Sequence, residues 1–169
     1  MAKGQDFEKV LKYIETNIEK SVSDLQELCR QPSISTTHVG IKEMANLLHS
    51  KIEKTGLSAT INETEGNPIL TAKKEGASDK TLLFYNHYDV QPADPESEWK
   101  SPPFEANVID EHIIARGSTD NKGNIVSRLA AFDAFLAIRG ELPCNIKYLI
   151  EGEEEIGSPS LENFVSKNK

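Results

Sequence analysis

From Phe7 the apolar positions fall at Val10, Leu11, Ile14, Ile18, Val22, Leu25 and Leu28. That spacing puts side chains on one face of an α-helix. Pro32 stands where a helix would stop. The pattern predicts one long amphipathic helix. A second stripe, Ile41, Met44, Ala45, Leu48 and Ile52, predicts another, with Gly56 placed for a left-handed C-terminal cap. Beyond Gly56 the period falls to two. Leu57, Ala59 and Ile61 alternate with polar residues, and "PILTAKK" reads as the partner strand across a turn at Glu65 to Asn67. "TLLFYN" is continuously apolar from Leu82 to Tyr85, which predicts a central strand covered on both faces.

The prolines between Gln91 and Phe104 predict a loop. "ANVIDEHIIARG" predicts a hairpin turning at Asp110 to His112 and closed by Gly117. Ile125, Leu129, Phe132 and Leu136 mark a third helix ending near Gly140. "NIKYLIEGEEEIGS" reads as a strand running into an acidic loop, and a fourth helix begins at Ser160. Helices alternating with strands predict an α/β fold, a layered mixed β-sheet with flanking helices. No internal repeat and no low-complexity tract is present.

Composition narrows the function classes. A chain of 169 residues supports one ordinary core. With 37% hydrophobic and 27% charged residues it reads as globular. No apolar run approaches the roughly 20 residues of a membrane span, and the charged N-terminus lacks the apolar centre of a secretory signal. The expected compartment is the cytoplasm. A net charge of -8 disfavours nucleic acid and anionic membrane as partners and favours cations as ligands. Cys29 and Cys144 lack C-x-x-C spacing and read as two ordinary buried thiols.

Three stations of titratable residues each follow a predicted strand. His87 and Asp89 stand at the exit of "TLLFYN", where ligands usually sit in open α/β sheets. They fit a loop histidine satisfied by a carboxylate. They fit equally a metal-ligating imidazole whose second nitrogen an acid holds. Asp120, in "ARGSTDNKGN", follows Ser118 and Thr119 before the third helix. One of these three is expected to cap that helix, and Asp120 could bridge cations at its positive end. An EF-hand is set aside, because Gly123 follows Asp120 too closely. Glu151, Glu153, Glu154 and Glu155 fit a solvated acidic surface, or a cation site with a general base beside it. In an extended chain Glu154 would point away from Glu153 and Glu155 and so divide base from ligand. Imidazole with carboxylates and no thiolate suits zinc, manganese or cobalt.

"HYDVQPADPESEWKSPPFEANVIDEHIIARGSTDNKGN" followed by "EGEEEIGS" closely resembles a family of dinuclear zinc metallopeptidases. That family includes carnosinase-like cytosolic dipeptidases, carboxypeptidase G, acetylornithine deacetylase and succinyl-diaminopimelate desuccinylase. The resemblance runs from about Leu28 to the end, and "HYDVQPADP" looks most like the dipeptidase branch. It implies that His87 and Glu155 ligate metal, that Asp120 bridges two divalent ions, and that Asp89 orients His87. Glu154 would be the general base, and the peptide after Asp120 would be cis. The implied reaction is hydrolysis of small peptides, with N-acyl amino acid deacylation as the alternative. Family members also carry a later aspartate and histidine in the metal site, and a lid domain that dimerises. The sequence contains no counterpart of these. Residues 1–169 therefore read as the N-terminal portion of a metallopeptidase catalytic domain, with an incomplete metal site and little activity alone. The alternative for the chain as it stands is a non-catalytic folded fragment.

Overall fold

Alternate positions of the strands carry the core. Leu70, Ala72, Ile146, Tyr148 and Ile150 are buried on one face of a sheet. Against them lie Ile41, Met44, Ala45, Leu48 and Ile52 from one helix and Ile125, Val126, Leu129 and Phe132 from another. Each such aliphatic side chain, fully buried, is worth about 1.5 to 3 kcal/mol. The computed structural model describes residues 2–168, with side chains from Asp6 onward.

The chain begins with α1 (Ala2–Thr16) and α2 (Ile18–Arg30), then α3 (Ile41–Lys54), β1 (Ser58–Asn62), β2 (Ile69–Lys74) and β3 (Thr81–His87). A short hairpin of β4 (Asn107–Ile109) and β5 (His112–Ile114) precedes α4 (Lys122–Arg139), β6 (Asn145–Glu151) and α5 (Leu161–Lys167). The main sheet has the order β1-β2-β6-β3. Its first two pairings are antiparallel, and β6 with β3 is parallel. This is the mixed sheet with flanking helices that the alternating pattern predicts.

Most predicted elements are present. Gly56 and Gly140 have φ of 81° and 73°, the left-handed values expected after α3 and α4. The hairpin turns at Asp110 and Glu111, both at positive φ, as a tight two-residue turn matched to strand twist demands. Cys29 is buried and Cys144 half-buried, both as free thiols.

Three expectations are corrected. The single N-terminal helix is two, broken at Asn17. There the side-chain amide donates to the Tyr13 carbonyl at 2.8 Å, competing with the backbone for that acceptor. The apolar stripe cannot reveal this, because its spacing continues across the break. Next, β3 is not central and covered but lies at the sheet edge among the described residues. Leu83 is 68% exposed, and Leu82 and Tyr85 are also exposed. A continuous apolar run reports the character of a strand, not its neighbours. Finally, Ser118, Thr119 and Asp120 do not cap α4. The cap position is Asn121, with no side-chain cap bond. The Ser118 hydroxyl donates back to Ala115, and Asp120 is drawn to His87 instead.

This arrangement sets the site. In the parallel pair, His87 is the register partner of Glu151, so β3 and β6 deliver their terminal residues to the same end of the sheet. The turn before α4 reaches the same place.

Candidate metal centre

His87, Asp89, Asp120, Glu154 and Glu155, the five residues to which the resemblance gives roles, converge at the carboxyl ends of β3 and β6. One donor atom each from His87, Asp120 and Glu155 lies within 4.8 Å of the others. The His87 Nε2 atom is 3.0 Å from Asp120 Oδ1 and 3.9 Å from Glu154 Oε2. His87 is buried, with its side chain 6% exposed, whereas Asp120 and Glu154 face solvent at 70% and 43%. The site is therefore a shelf, with the imidazole at its floor and carboxylates at its rim.

Asp89 lies beneath this shelf with its side chain fully buried. Its Oδ1 accepts the Glu154 amide at 3.2 Å and its Oδ2 the Glu155 amide at 3.1 Å. His87 Nδ1 is 3.1 Å from the Asp89 carbonyl and 3.4 Å from Oδ1. One carboxylate thus fixes both the ring and the backbone of the acidic pair. That leaves Nε2 turned toward the rim, the orientation a ligating histidine needs.

The acidic run does not extend past Glu151, contrary to the expected alternation. It turns at once into a 3₁₀ turn, Glu154–Ile156, and each glutamate takes a separate environment. Glu151 is buried and accepts from Tyr85 at 2.5 Å and Ser158 at 2.8 Å. Burial pushes its carboxyl up from the ordinary value, the nearby Asp89 and Glu153 add to this, and the Tyr85 and Ser158 hydrogen bonds work against it. Glu153 is also buried, accepting from the amides of Asn67 and Ser160 at 2.9 and 3.0 Å. Only Glu154 and Glu155 remain for the shelf. The two side chains are set apart by the turn, not by strand alternation.

Burial opposes charge on His87, but the hydrogen bond and charge of Asp89, joined by Asp120, overcome it and push the ring up to about 9. The sign of the consequence is fixed. A histidine whose folded value lies above its unfolded one stabilises the fold at low pH and loses that contribution as pH rises. In the metal-free protein, stability in urea should fall as pH rises from about 6.5 to about 9. Stability flat across that window would remove the electrostatic account. Because a metal ion takes only the neutral ring, zinc affinity should rise over the same interval.

Several supporting residues carry no motif that the sequence alone exposes. Gln91 donates to the Glu155 carbonyl at 2.8 Å and to its carboxylate at 3.1 Å. Its place two residues beyond Asp89 continues the alternation of His87 and Asp89, the one available signal. Lys122 is fully buried and donates to the carbonyls of Leu28 and Gln31 at 3.0 and 2.9 Å, joining α4 to the end of α2. Burial, partly offset by Cys29 and Asp89, lowers it to about 8. Ser33 donates to the Tyr88 carbonyl and accepts the Val90 amide, bracketing Asp89 from the α2 side. The peptide between Asp120 and Asn121 is cis.

The model of peptidase family M20/M25/M40 matches residues 83–169, a span that holds the whole shelf. A Beta-Ala-His dipeptidase of Homo sapiens is 43% identical over 103 residues, covering 60% of this chain and 20% of its own. The crystal structure of human carnosine dipeptidase 1 superposes with a TM-score of 0.88 at 32% identity, over 95% of this chain and 37% of that one. A metallo-carboxypeptidase of the same family from Sulfolobus solfataricus gives a TM-score of 0.84 at 48% identity, over 88% of this chain and 34% of that one. The chain thus spans about a third of the length of these solved relatives and less of the curated one.

Proposed function

Because the chain belongs to peptidase family M20/M25/M40, we propose that its shelf is part of a two-metal centre that hydrolyses dipeptides or related small peptides. The observation that carries this reading is the convergence of His87, Asp120 and Glu155 within 4.8 Å, with Glu154 beside them and Asp89 beneath. The donor set fits divalent cations. It offers one imidazole and an excess of carboxylate oxygens without thiolate, suited to zinc and also to manganese or cobalt. His87 and Glu155 would each hold an ion, and Asp120 would bridge the two.

When bound, a pair of divalent ions lowers the pKa of water and polarises a scissile carbonyl. The protein's own part is positional and acid–base. Asp89 keeps the His87 ring in one tautomer with Nε2 outward. Gln91 holds the Glu155 carboxylate in place. Glu154, anchored through its backbone amide and carbonyl while its carboxylate faces solvent, is free to take a proton from the attacking water. It then delivers that proton to the departing amine nitrogen.

The 169 residues act in this reading as the N-terminal portion of the catalytic metal-binding domain. In this reading further ligands and a dimerising lid would come from additional chain, as the resemblance implies. Among the described residues no helix is long and apolar enough to cross a membrane. The free thiols suit a reducing compartment such as the cytoplasm. Chelation of the full-length protein should abolish dipeptide hydrolysis, and added zinc should restore it. Hydrolysis indifferent to chelation would refute the proposal. Faster turnover of N-acetylated amino acids than of dipeptides would move the substrate to the deacylase class.

A further inference from the structure

Asn86 precedes His87 on β3 and is 2% exposed. Three elements converge on its side chain. Its Oδ1 accepts from Arg128 Nη1 on α4 at 2.7 Å and from the Tyr148 hydroxyl on β6 at 2.7 Å. Two donors on one atom fix which end of the amide is oxygen. The opposite end, Nδ2, therefore faces Asn121 and donates to its Oδ1. Asn121 follows Asp120 directly, so Asn86 adjoins one shelf residue along the chain and reaches the neighbour of another through space.

The charge behind this contact is unusual. Among the described residues no carboxylate pairs with Arg128. The guanidinium lies over the Phe84 ring, 5.7 Å from its centroid. Phe84, Phe132 and Tyr148 meet edge to face, so the packing around the network is rigid. A cation hydrogen-bonded to an amide oxygen polarises that amide and makes its N–H a stronger donor. The arrangement amounts to a relay from Arg128 through Asn86 to Asn121.

We propose that Asn86 is a positioning residue, acting through Asn121 to hold the Asp120 carboxylate toward His87. The inference rests on the reading of the shelf as a metal centre. It assigns α4 and β6 a part in the site that none of the ligand residues reveals. A side chain held by polarised hydrogen bonds around a metal site governs how well the ligand is preorganised. Losing the relay should therefore weaken metal binding and slow turnover without altering how the substrate is gripped.

The test uses the full-length protein with zinc calorimetry, steady-state kinetics and thermal melting. Asn121→Ala removes the acceptor at the half-buried end of the network and leaves Arg128, Asn86 and Tyr148 paired. It should weaken zinc binding and lower kcat about tenfold each, within the range for outer-shell partners, with KM and melting temperature nearly unchanged. Asn121→Asp keeps an acceptor and should restore zinc affinity to within about threefold of wild type. Asn86→Asp alone would say little, since the Asn121 amide could turn over and donate. Asn86→Asp combined with Asn121→Asp sets two carboxylates face to face and should lose about 100-fold in zinc affinity. Wild-type zinc affinity in Asn121→Ala, or a drop in melting temperature alone, would overturn the relay while leaving the metal centre standing. A wild-type protein that binds none of zinc, manganese and cobalt would overturn the metal centre and the relay with it.

Discussion

Replacing Glu154 by glutamine in the full-length protein should lower kcat by about 10² to 10⁴, the usual worth of a general base, while zinc remains bound. Glutamine keeps the shape and polarity of the side chain but cannot take a proton from water. Glu154 lies outside the His87, Asp120 and Glu155 cluster, so removing its charge should leave zinc affinity close to wild type. Its side chain is 43% exposed and accepts no hydrogen bond within the protein among the described residues. The melting temperature should therefore stay within a degree or two, as for an ordinary surface substitution. Retained turnover would remove Glu154 from its role. Lost turnover together with lost zinc would make it a ligand instead.

Asp89→Asn should give the opposite profile, a structural loss that also takes the metal. The two residues are nearly isosteric, yet both Asp89 oxygens accept backbone amides, from Glu154 and from Glu155. Wherever the new NH₂ group lies, it opposes an N–H at hydrogen-bond range. The buried His87 ring loses its counter-charge at the same time. Breaking a buried charge pair in this way costs about 3 to 5 kcal/mol, measurable as a shift in the urea midpoint. Zinc affinity should fall about 10- to 100-fold through loss of ring orientation, and the elevated His87 titration should move back toward 6.5. An Asp89→Asn protein as stable as wild type, with His87 still titrating near 9, would show that the carboxylate does not organise the shelf.

The contrast between these two acids shows how much the sequence made legible. His87, Asp89 and Asp120 stood out because each follows a strand or precedes a helix, Glu154 and Glu155 were singled out of their acidic run by the family resemblance, and all five meet. Their supports did not stand out. Asn86, Gln91 and Lys122 are ordinary polar residues whose importance lies in what they touch. Asn86 bonds to Arg128 and Tyr148, 42 and 62 residues away. Glu151 and Glu153 sat in the same acidic run as Glu154 and could not be told from it. Glu151, the last residue of β6, is buried against Tyr85 and Ser158, and the turn that follows buries Glu153 and leaves Glu154 at the rim.

Local periodicity settled what could be settled locally. The apolar stripes of α3 and α4, the alternation in β1 and β2, and the glycines at 56 and 140 each act over a few residues, so their outcome is written where they occur. Strand order and the edge position of β3 depend on groups that pair across the fold, which no single segment contains, whereas the break at Asn17 is local, its amide competing for the Tyr13 carbonyl without disturbing the apolar stripe. The candidate metal centre falls between the two. Its donor types are specified by the chain, but their approach within 4.8 Å exists only because parallel pairing sets His87 opposite Glu151 and the turn before α4 reaches the same end.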